Sequence, residues 1–211
     1  MELMMILPLL TVTVAGVICL ISYRQLKKDY SKTVKIDITR EQMLLLEKKV
    51  TDFYKANNLN PDGNIERITE LLKLKVGKDD ENLEHQAKTQ LPDEDGYREV
   101  TINPWLSQEE RTFVIAHECA HLINGDDMIN TRPQGHNKPI CEQLADYTAA
   151  ALLMPLEDVY EYLEKINYQK LTASKRVKVI TQLSVRYEVE PVVALRRIKE
   201  VYIIKQNRQM H

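Results

Sequence analysis

A pair of histidines four residues apart, with a glutamate directly after the first, is the part of this sequence best suited to chemistry. The run His117-Glu118-Cys119-Ala120-His121 lies among apolar, helix-forming residues. Residues four apart share one face of an α-helix, so both imidazoles can reach one Zn²⁺ at about 2.0 to 2.1 Å. Glu118 would lie beside the open position of such a metal, where its carboxylate can accept a proton from water as the general base. The motif therefore predicts metal-assisted hydrolysis of a peptide bond.

A catalytic zinc needs a third protein ligand, and the next predicted helix offers one. Glu142 and Asp146 are also four residues apart and share a helix face. We predict that Glu142 binds the single zinc ion with the two histidines, and that Asp146 accepts the other N–H of a ligand imidazole. The alternative is that both carboxylates lie on an ordinary solvated face. The connection 126–139 contains two prolines and one glycine, enough to turn the second helix back onto the first.

The elements that must hold these residues are mainly helices with recognisable ends. Thr39 predicts the capped start of the first helix, Ser107 the N-cap of the helix that carries the histidines, and Gly125 its C-cap. The run 97–103 contains β-branched residues before a proline and predicts a short strand, whereas the polar run 77–95 predicts a loop. The predicted helices cover residues 38–56, 65–74, 107–124, 140–154, 156–166, 174–187 and 191–204.

Composition favours one compact domain with an appendage. The 211 residues are enough to bury a core, and we predict a mostly helical α+β domain with a small β-sheet over residues 37–206. The 29 basic and 31 acidic residues nearly cancel, to a net charge of -2, so the charge does not indicate a nucleic-acid partner. Three cysteines without a CxxC pair do not resemble a disulfide framework and favour a reducing compartment.

The N-terminal segment differs from the rest of the chain. Residues 3–21 run for 19 residues without a charged side chain, nearly enough for a helix to cross a hydrocarbon core of roughly 30 Å. Basic residues follow this run and only Glu2 precedes it, which predicts a single-pass anchor in the cell membrane with the body in the cytoplasm. The predicted parts are an anchor at 1–23 and a basic linker at 24–36. A cleaved secretory signal and a buried N-terminal helix are the alternatives.

The chain resembles the ImmA/IrrE family of metallopeptidases in two runs, INPWLSQEERTFVIAHECAHLING and EQLADYTAAALLMP, within residues 97–155. A later run, LSVRYEVEPVVALRRIKEV, resembles the C-terminal helical pair of the family. The resemblance implies a zincin-like, gluzincin-type endopeptidase that cuts a regulatory protein, typically a helix-turn-helix repressor of a phage, a mobile element or a stress response. It assigns the ligands to His117, His121 and Glu142 and the base to Glu118. Family members are usually soluble, so the predicted anchor is a departure from the family.

Three other interpretations are weaker. A non-catalytic zinc-binding scaffold or regulator at the membrane could use the same helices. A DNA-binding regulator could use residues 181–198, but the few basic residues there alternate with acidic ones, unlike a phosphate-binding face. A metzincin would need a glycine at 124 and a ligand at 127, where the sequence has Asn124 and Asp127, so only an aspartate variant would fit.

Some residues near the motif have more ordinary explanations. Cys119 and Cys141 are predicted as small core residues rather than metal ligands. His136 could stabilise an oxyanion, although a solvated loop histidine is the commoner case. If the strand around Val100 to Ile102 is an edge of its sheet, it could bind a substrate backbone by β-augmentation.

Overall fold

The computed structural model describes residues 38–80, 86–126 and 139–205. In these ranges the chain is mostly helical with one small sheet, as the sequence predicts. The predicted anchor and linker, together with Asp127 and His136, lie outside the described residues. Among the helices that are described, none is long and apolar enough for a membrane span. The elements are α1 (Arg40–Ala56), α2 (Ile65–Leu71), β1 (Leu74–Val76), β2 (Ala87–Thr89), β3 (Arg98–Ile102), α3 (Gln108–Asn124), α4 (Ile140–Leu153), α5 (Leu156–Lys165), a 3₁₀ helix (Tyr168–Lys170), α6 (Ala173–Arg186) and α7 (Pro191–Lys205).

The helix caps predicted at Thr39, Ser107 and Gly125 are confirmed. Thr39 and Gln42 form a capping box at the start of α1. Ser107 and Glu110 form another at the start of α3, where the hydroxyl of Ser107 accepts the backbone N–H of Glu110. Gly125 ends α3 in the left-handed conformation, with φ of 82°, which costs a glycine little. The helix that carries both histidines is therefore fixed at each end by its own sequence.

The sheet has the order β1-β3-β2. Strand β3 pairs in parallel with β1 and antiparallel with β2, and Val100 and Ile102 point into the core with no exposed surface. The predicted strand is thus confirmed, but it is the central strand and not an edge, so β-augmentation at Val100 to Ile102 loses its premise. The predicted helix 65–74 was too long, because its last residues begin β1, and the predicted loop 77–95 contains β2. Strands of three residues are too short to show an alternating pattern.

Helices α3 and α4 form the most extensive helix–helix contact of the described chain. Small side chains allow two helix axes to approach closely, and Ala116 and Ala120 of α3 and Ala145 and Ala149 of α4 are fully buried. Near the C-terminal end of α3 the hydroxyl of Thr148 donates to Asn124 Oδ1 at 3.1 Å. This packing brings the predicted ligands of the two helices to the same place.

A buried polar cluster joins α1, α4 and α7 beneath this contact. Arg197 has no exposed surface, and its Nη1 donates to Glu47 Oε1 at 2.6 Å. Its Nε donates to the carbonyl of Met154 at 2.8 Å, just past the end of α4. The hydroxyl of Tyr147 also donates to Glu47 Oε1, at 2.6 Å. A buried guanidinium needs such partners because an unpaired buried charge is strongly destabilising.

Substitution of Gly63 tests how closely the turn between α1 and α2 packs against the end of α4. Its φ is +74°, and an added Cβ would lie 2.8 Å from the carbonyl oxygen of Leu153 at the end of α4. At Gly96 φ is also positive, at +80°, but an added Cβ would find no atom closer than 3.8 Å. We expect Gly96→Ala to lower the free energy of unfolding by about 1 kcal/mol through backbone strain. Gly63→Ala should lower it by at least about 1 kcal/mol more through overlap with the carbonyl. Urea unfolding followed by circular dichroism measures both, and equal losses would contradict this account of the turn.

Candidate metal centre

Three side chains from two helices meet in the interior of the domain. His117 and His121 project from α3 and Glu142 from α4, and each is at least nine-tenths buried. The two Nε2 atoms lie 3.1 Å apart. Oε2 of Glu142 is 3.3 Å from Nε2 of His117, and Oε1 is 3.4 Å from Nε2 of His121. The structure therefore brings the three predicted ligands together.

These distances fit a single metal ion. Zn²⁺ binds nitrogen and carboxylate oxygen at about 2.0 to 2.2 Å in tetrahedral geometry, so two ligand atoms on one ion are roughly 3.3 Å apart. The observed separations of 3.1, 3.3 and 3.4 Å agree with that spacing. Two imidazoles and one carboxylate are also a donor set that catalytic zinc uses, and it leaves the fourth position open.

Hydrogen bonds on the outer side of each ring decide which nitrogen faces the centre. Nδ1 of His117 lies 2.9 Å from Asp146 Oδ1, and Nδ1 of His121 lies 3.0 Å from Asp126 Oδ2. An ionised carboxylate only accepts hydrogen bonds, so each Nδ1 carries the hydrogen. With that hydrogen on Nδ1, the lone pair of Nε2 in a neutral ring would face an ion bound beside Glu142. The predicted contact of Asp146 with a ligand imidazole is present, and Asp126 provides a second one.

The electrostatics of this centre call for a cation. Glu142 Oε2 is buried and has no hydrogen-bond partner, an uncommon state for a buried carboxylate oxygen. Burial raises the pKa of Glu142, but the two imidazoles outweigh burial and hold that pKa well below its usual range. Burial lowers the pKa of His121, yet Glu142 and Asp126 outweigh it and leave the pKa above its ordinary value. A divalent ion between these groups would satisfy the lone pairs and the unpartnered oxygen together.

Glu118 lies beside this centre, held by a residue from the sheet. Glu118 is buried, with 6% of its surface exposed, and its charge contributes to raising the pKa of His121. Thr89, the last residue of β2, donates its hydroxyl to Glu118 Oε2 at 2.6 Å. A hydrogen bond to a charged group is short and strong, so the edge strand fixes the orientation of this carboxylate.

Comparison with known proteins identifies the family. The family model described as the IrrE N-terminal-like domain, a peptidase family, matches residues 69–199, well over half of the chain. This chain belongs to the ImmA/IrrE family. No curated protein sequence matches it significantly. Among solved structures, a Mycobacterium tuberculosis transcriptional regulator is similar with 19% sequence identity and a TM-score of 0.45, covering 82% of this chain and 49% of that one. The chain thus spans about half the length of that structure.

Membership of the ImmA/IrrE family and the grouping of His117, His121 and Glu142 together support a metal ion at this place. Of the other residues considered from the sequence, Cys119 is fully buried, as predicted, and burial raises the pKa of its thiol far above the usual value. Cys141 is only partly buried, so the prediction of a core cysteine there was wrong. It sits in the first turn of α4, where one side of the helix faces solvent.

Two residues of this site, Asp126 and Thr89, were not predicted from the sequence. Only Asp126 has a sequence feature that could have indicated its position. Asp126 follows the C-cap glycine of α3, and its N–H bonds back to the carbonyl of His121 at 3.0 Å. A left-handed glycine four residues after the histidine turns the chain back on the helix end, so the aspartate directly after it falls beside the imidazole. Thr89 is 29 residues away from Glu118 on a strand that has no pattern of its own, and nothing local points to it.

Metal binding by this ImmA/IrrE domain can be tested without an activity assay. We expect zinc added to chelator-treated protein to raise its thermal stability, by about 2.7 kcal/mol when the metal is at 100 times its dissociation constant. Glu142→Ala should remove this gain because one of the three ligands is lost. Glu161→Ala replaces an exposed carboxylate of α5 and should retain it. Differential scanning calorimetry with and without zinc gives the answer, and an undiminished gain in Glu142→Ala would exclude Glu142 as a ligand.

Proposed function

We propose that this chain is a zinc-dependent endopeptidase that cuts a regulatory protein. The observation that carries the proposal is the convergence of His117, His121 and Glu142 with an oriented carboxylate, Glu118, beside them. A non-catalytic metal site has no need of a buried glutamate that is held by a hydrogen bond and left out of the ligand set. Membership of a peptidase family supports the same conclusion.

Each residue has a distinct part in the proposed reaction. When bound, zinc polarises the scissile carbonyl and activates water toward it. Glu118 accepts a proton from the attacking water as the oxygen–carbon bond forms, and it delivers that proton to the amine nitrogen as the carbon–nitrogen bond breaks. Asp146 and Asp126 keep His117 and His121 oriented toward the metal through their Nδ1 hydrogens. The hydrogen bond from the Thr89 hydroxyl keeps the Glu118 carboxylate in position during both proton transfers.

For the substrate we propose a helix-turn-helix repressor of a phage, a mobile element or a stress response, which is what the family resemblance implies. The proposed location is the cytoplasmic side of the cell membrane, with residues 1–23 as a single-pass anchor and 24–36 as a basic linker to the domain. That location rests on the uncharged run 3–21 and the basic residues after it. A membrane-bound peptidase would act on repressors or repressor complexes that reach the membrane surface.

Glu118→Gln tests whether the centre is catalytic. The amide is nearly the same size as the carboxylate but is a poor base, so we expect zinc to remain bound while cleavage falls by about 10²- to 10⁴-fold. Wild type and variant are each co-expressed with the helix-turn-helix repressors encoded nearby, and a fragment is sought that forms only with the wild type. Mass spectrometry of the fragment gives the bond. A product formed equally by the variant, or a biological output that Glu118→Gln leaves intact, would favour the alternative of a non-catalytic zinc-binding scaffold.

Thr89 tests whether the edge strand positions the base. Thr89→Val keeps the shape of the side chain but removes the hydroxyl, and because the lost hydrogen bond is to a charged group we expect kcat to fall by about 10- to 100-fold. KM should change little, and Thr89→Ser should restore most of the rate. Thr101→Val, on the neighbouring strand β3, is the matched control. Steady-state kinetics with the identified substrate measure these effects, and a loss confined to KM would mean that Thr89 contacts substrate rather than Glu118.

A further inference from the structure

Arg196 of α7 reaches the metal centre from the C-terminal part of the chain. Its Nη1 lies 3.5 Å from Oδ2 of Asp146, while Oδ1 of the same carboxylate is bonded to Nδ1 of His117 at 2.9 Å. The two oxygens of Asp146 therefore face different groups, an imidazole on one side and a guanidinium on the other. The side chains of Asp146 and Arg196 are only 8% and 13% exposed, so solvent screens this ion pair little.

The guanidinium of Arg196 is itself held by a buried carboxylate of the same helix. Its Nε donates to Glu200 Oε1 at 2.7 Å, one turn further along α7. Glu200 has no exposed surface, and its other oxygen lies 3.9 Å from Nη1 of the fully buried Arg197. A planar guanidinium bonded to a carboxylate through Nε has its remaining nitrogens in fixed directions. Arg196 thus differs from a surface arginine, whose flexible side chain contributes little to an ion pair.

We propose that Arg196 is a positioning residue of the metal centre, acting through Asp146 on His117. Rotation of the Asp146 carboxylate would take Oδ1 away from Nδ1 of His117. The guanidinium opposes that rotation because it attracts Oδ2, the oxygen that does not face the imidazole. With Asp146 held, His117 keeps its hydrogen on Nδ1 and its lone pair toward the metal. Helix α7 then contributes to metal affinity although it supplies no ligand.

This inference rests on the metal centre of the proposed function but not on peptidase activity, so its test measures metal affinity. Loss of a residue that directly orients a metal ligand weakens metal binding by about 10- to 100-fold. For Arg196→Met, one residue further from the ion, we expect zinc affinity to fall about tenfold in competition with a chelator. Lys199→Met changes an exposed residue of the same helix and should bind zinc as the wild type does.

Two further variants separate positioning from general destabilisation. Arg196→Met leaves the buried carboxylate of Glu200 with one partner fewer, so the double variant Arg196→Met/Glu200→Gln removes that charge as well and should show the same loss of affinity. In an Asp146→Asn background Arg196→Met should cause little additional loss, because its effect passes through Asp146. A purely structural role would give losses that add.

A spectroscopic signature in the metal-free protein completes the test. The ¹⁵N chemical shifts of the His117 ring should show one tautomer, with the hydrogen on Nδ1, in the wild type and in Lys199→Met. In Arg196→Met we expect a mixture of tautomers. Equal zinc affinity in wild type and Arg196→Met, or additive losses with Asp146→Asn, would overturn the role of Arg196 alone. Absence of zinc binding by the wild type would overturn the metal centre and this inference with it, whereas a wild type that binds zinc but cuts nothing would leave this inference standing.

Discussion

The burial of three potential metal ligands between α3 and α4 is the constraint on which the rest of this structure depends. Two imidazoles and the Glu142 carboxylate meet in one buried space, where charges are poorly screened and unpaired polar atoms are destabilising. Apolar packing must hold these groups together until a cation binds. The contact between α3 and α4, with alanines such as Ala116 and Ala145 fully buried, supplies that packing. Part of the stability gained from the core therefore offsets the cost of burying these polar groups.

The two aspartates that contact the histidines differ in exposure, and this difference indicates which side of the centre is nearer to solvent. The side chain of Asp146, on the His117 side, is 8% exposed, whereas that of Asp126, on the His121 side, is 31% exposed. His117 is bonded to Asp146 of α4, which in turn lies beside the Arg196 guanidinium of α7. His121 depends on an aspartate from the turn that follows its own helix. The orientation of His117 therefore depends on contacts between helices, whereas that of His121 depends on the turn that follows its own helix.

Spacing within single helices accounts for most of what the sequence could predict. Features that depend on residues within one helical turn were predicted: the ligand pair of α3, the pair Glu142 and Asp146 on α4, and the caps at Ser107 and Gly125. The very short strands β1 and β2 were missed because three residues show no period, and their pairing with β3 is decided by distant parts of the chain. Thr89 was missed for the same reason. The spacing of Glu142 and Asp146 indicated one residue that holds a ligand imidazole, whereas Asp126 and Thr89 were not predicted.

The buried charges of α7 are better explained by orientation than by stability. A buried ion pair often contributes no more to stability than apolar residues of the same volume would, and Arg197 lies at the centre of such a group. Its bonds to Glu47 of α1 and to the carbonyl of Met154 after α4 are directional, however, and an apolar side chain could not reproduce them. They set the rotation of α7 about its axis. Because Arg196 is the adjacent residue, that rotation decides whether its guanidinium faces Asp146 or points elsewhere. A stable core without these directional bonds would not fix the position of Arg196 relative to Asp146, the residue that holds His117.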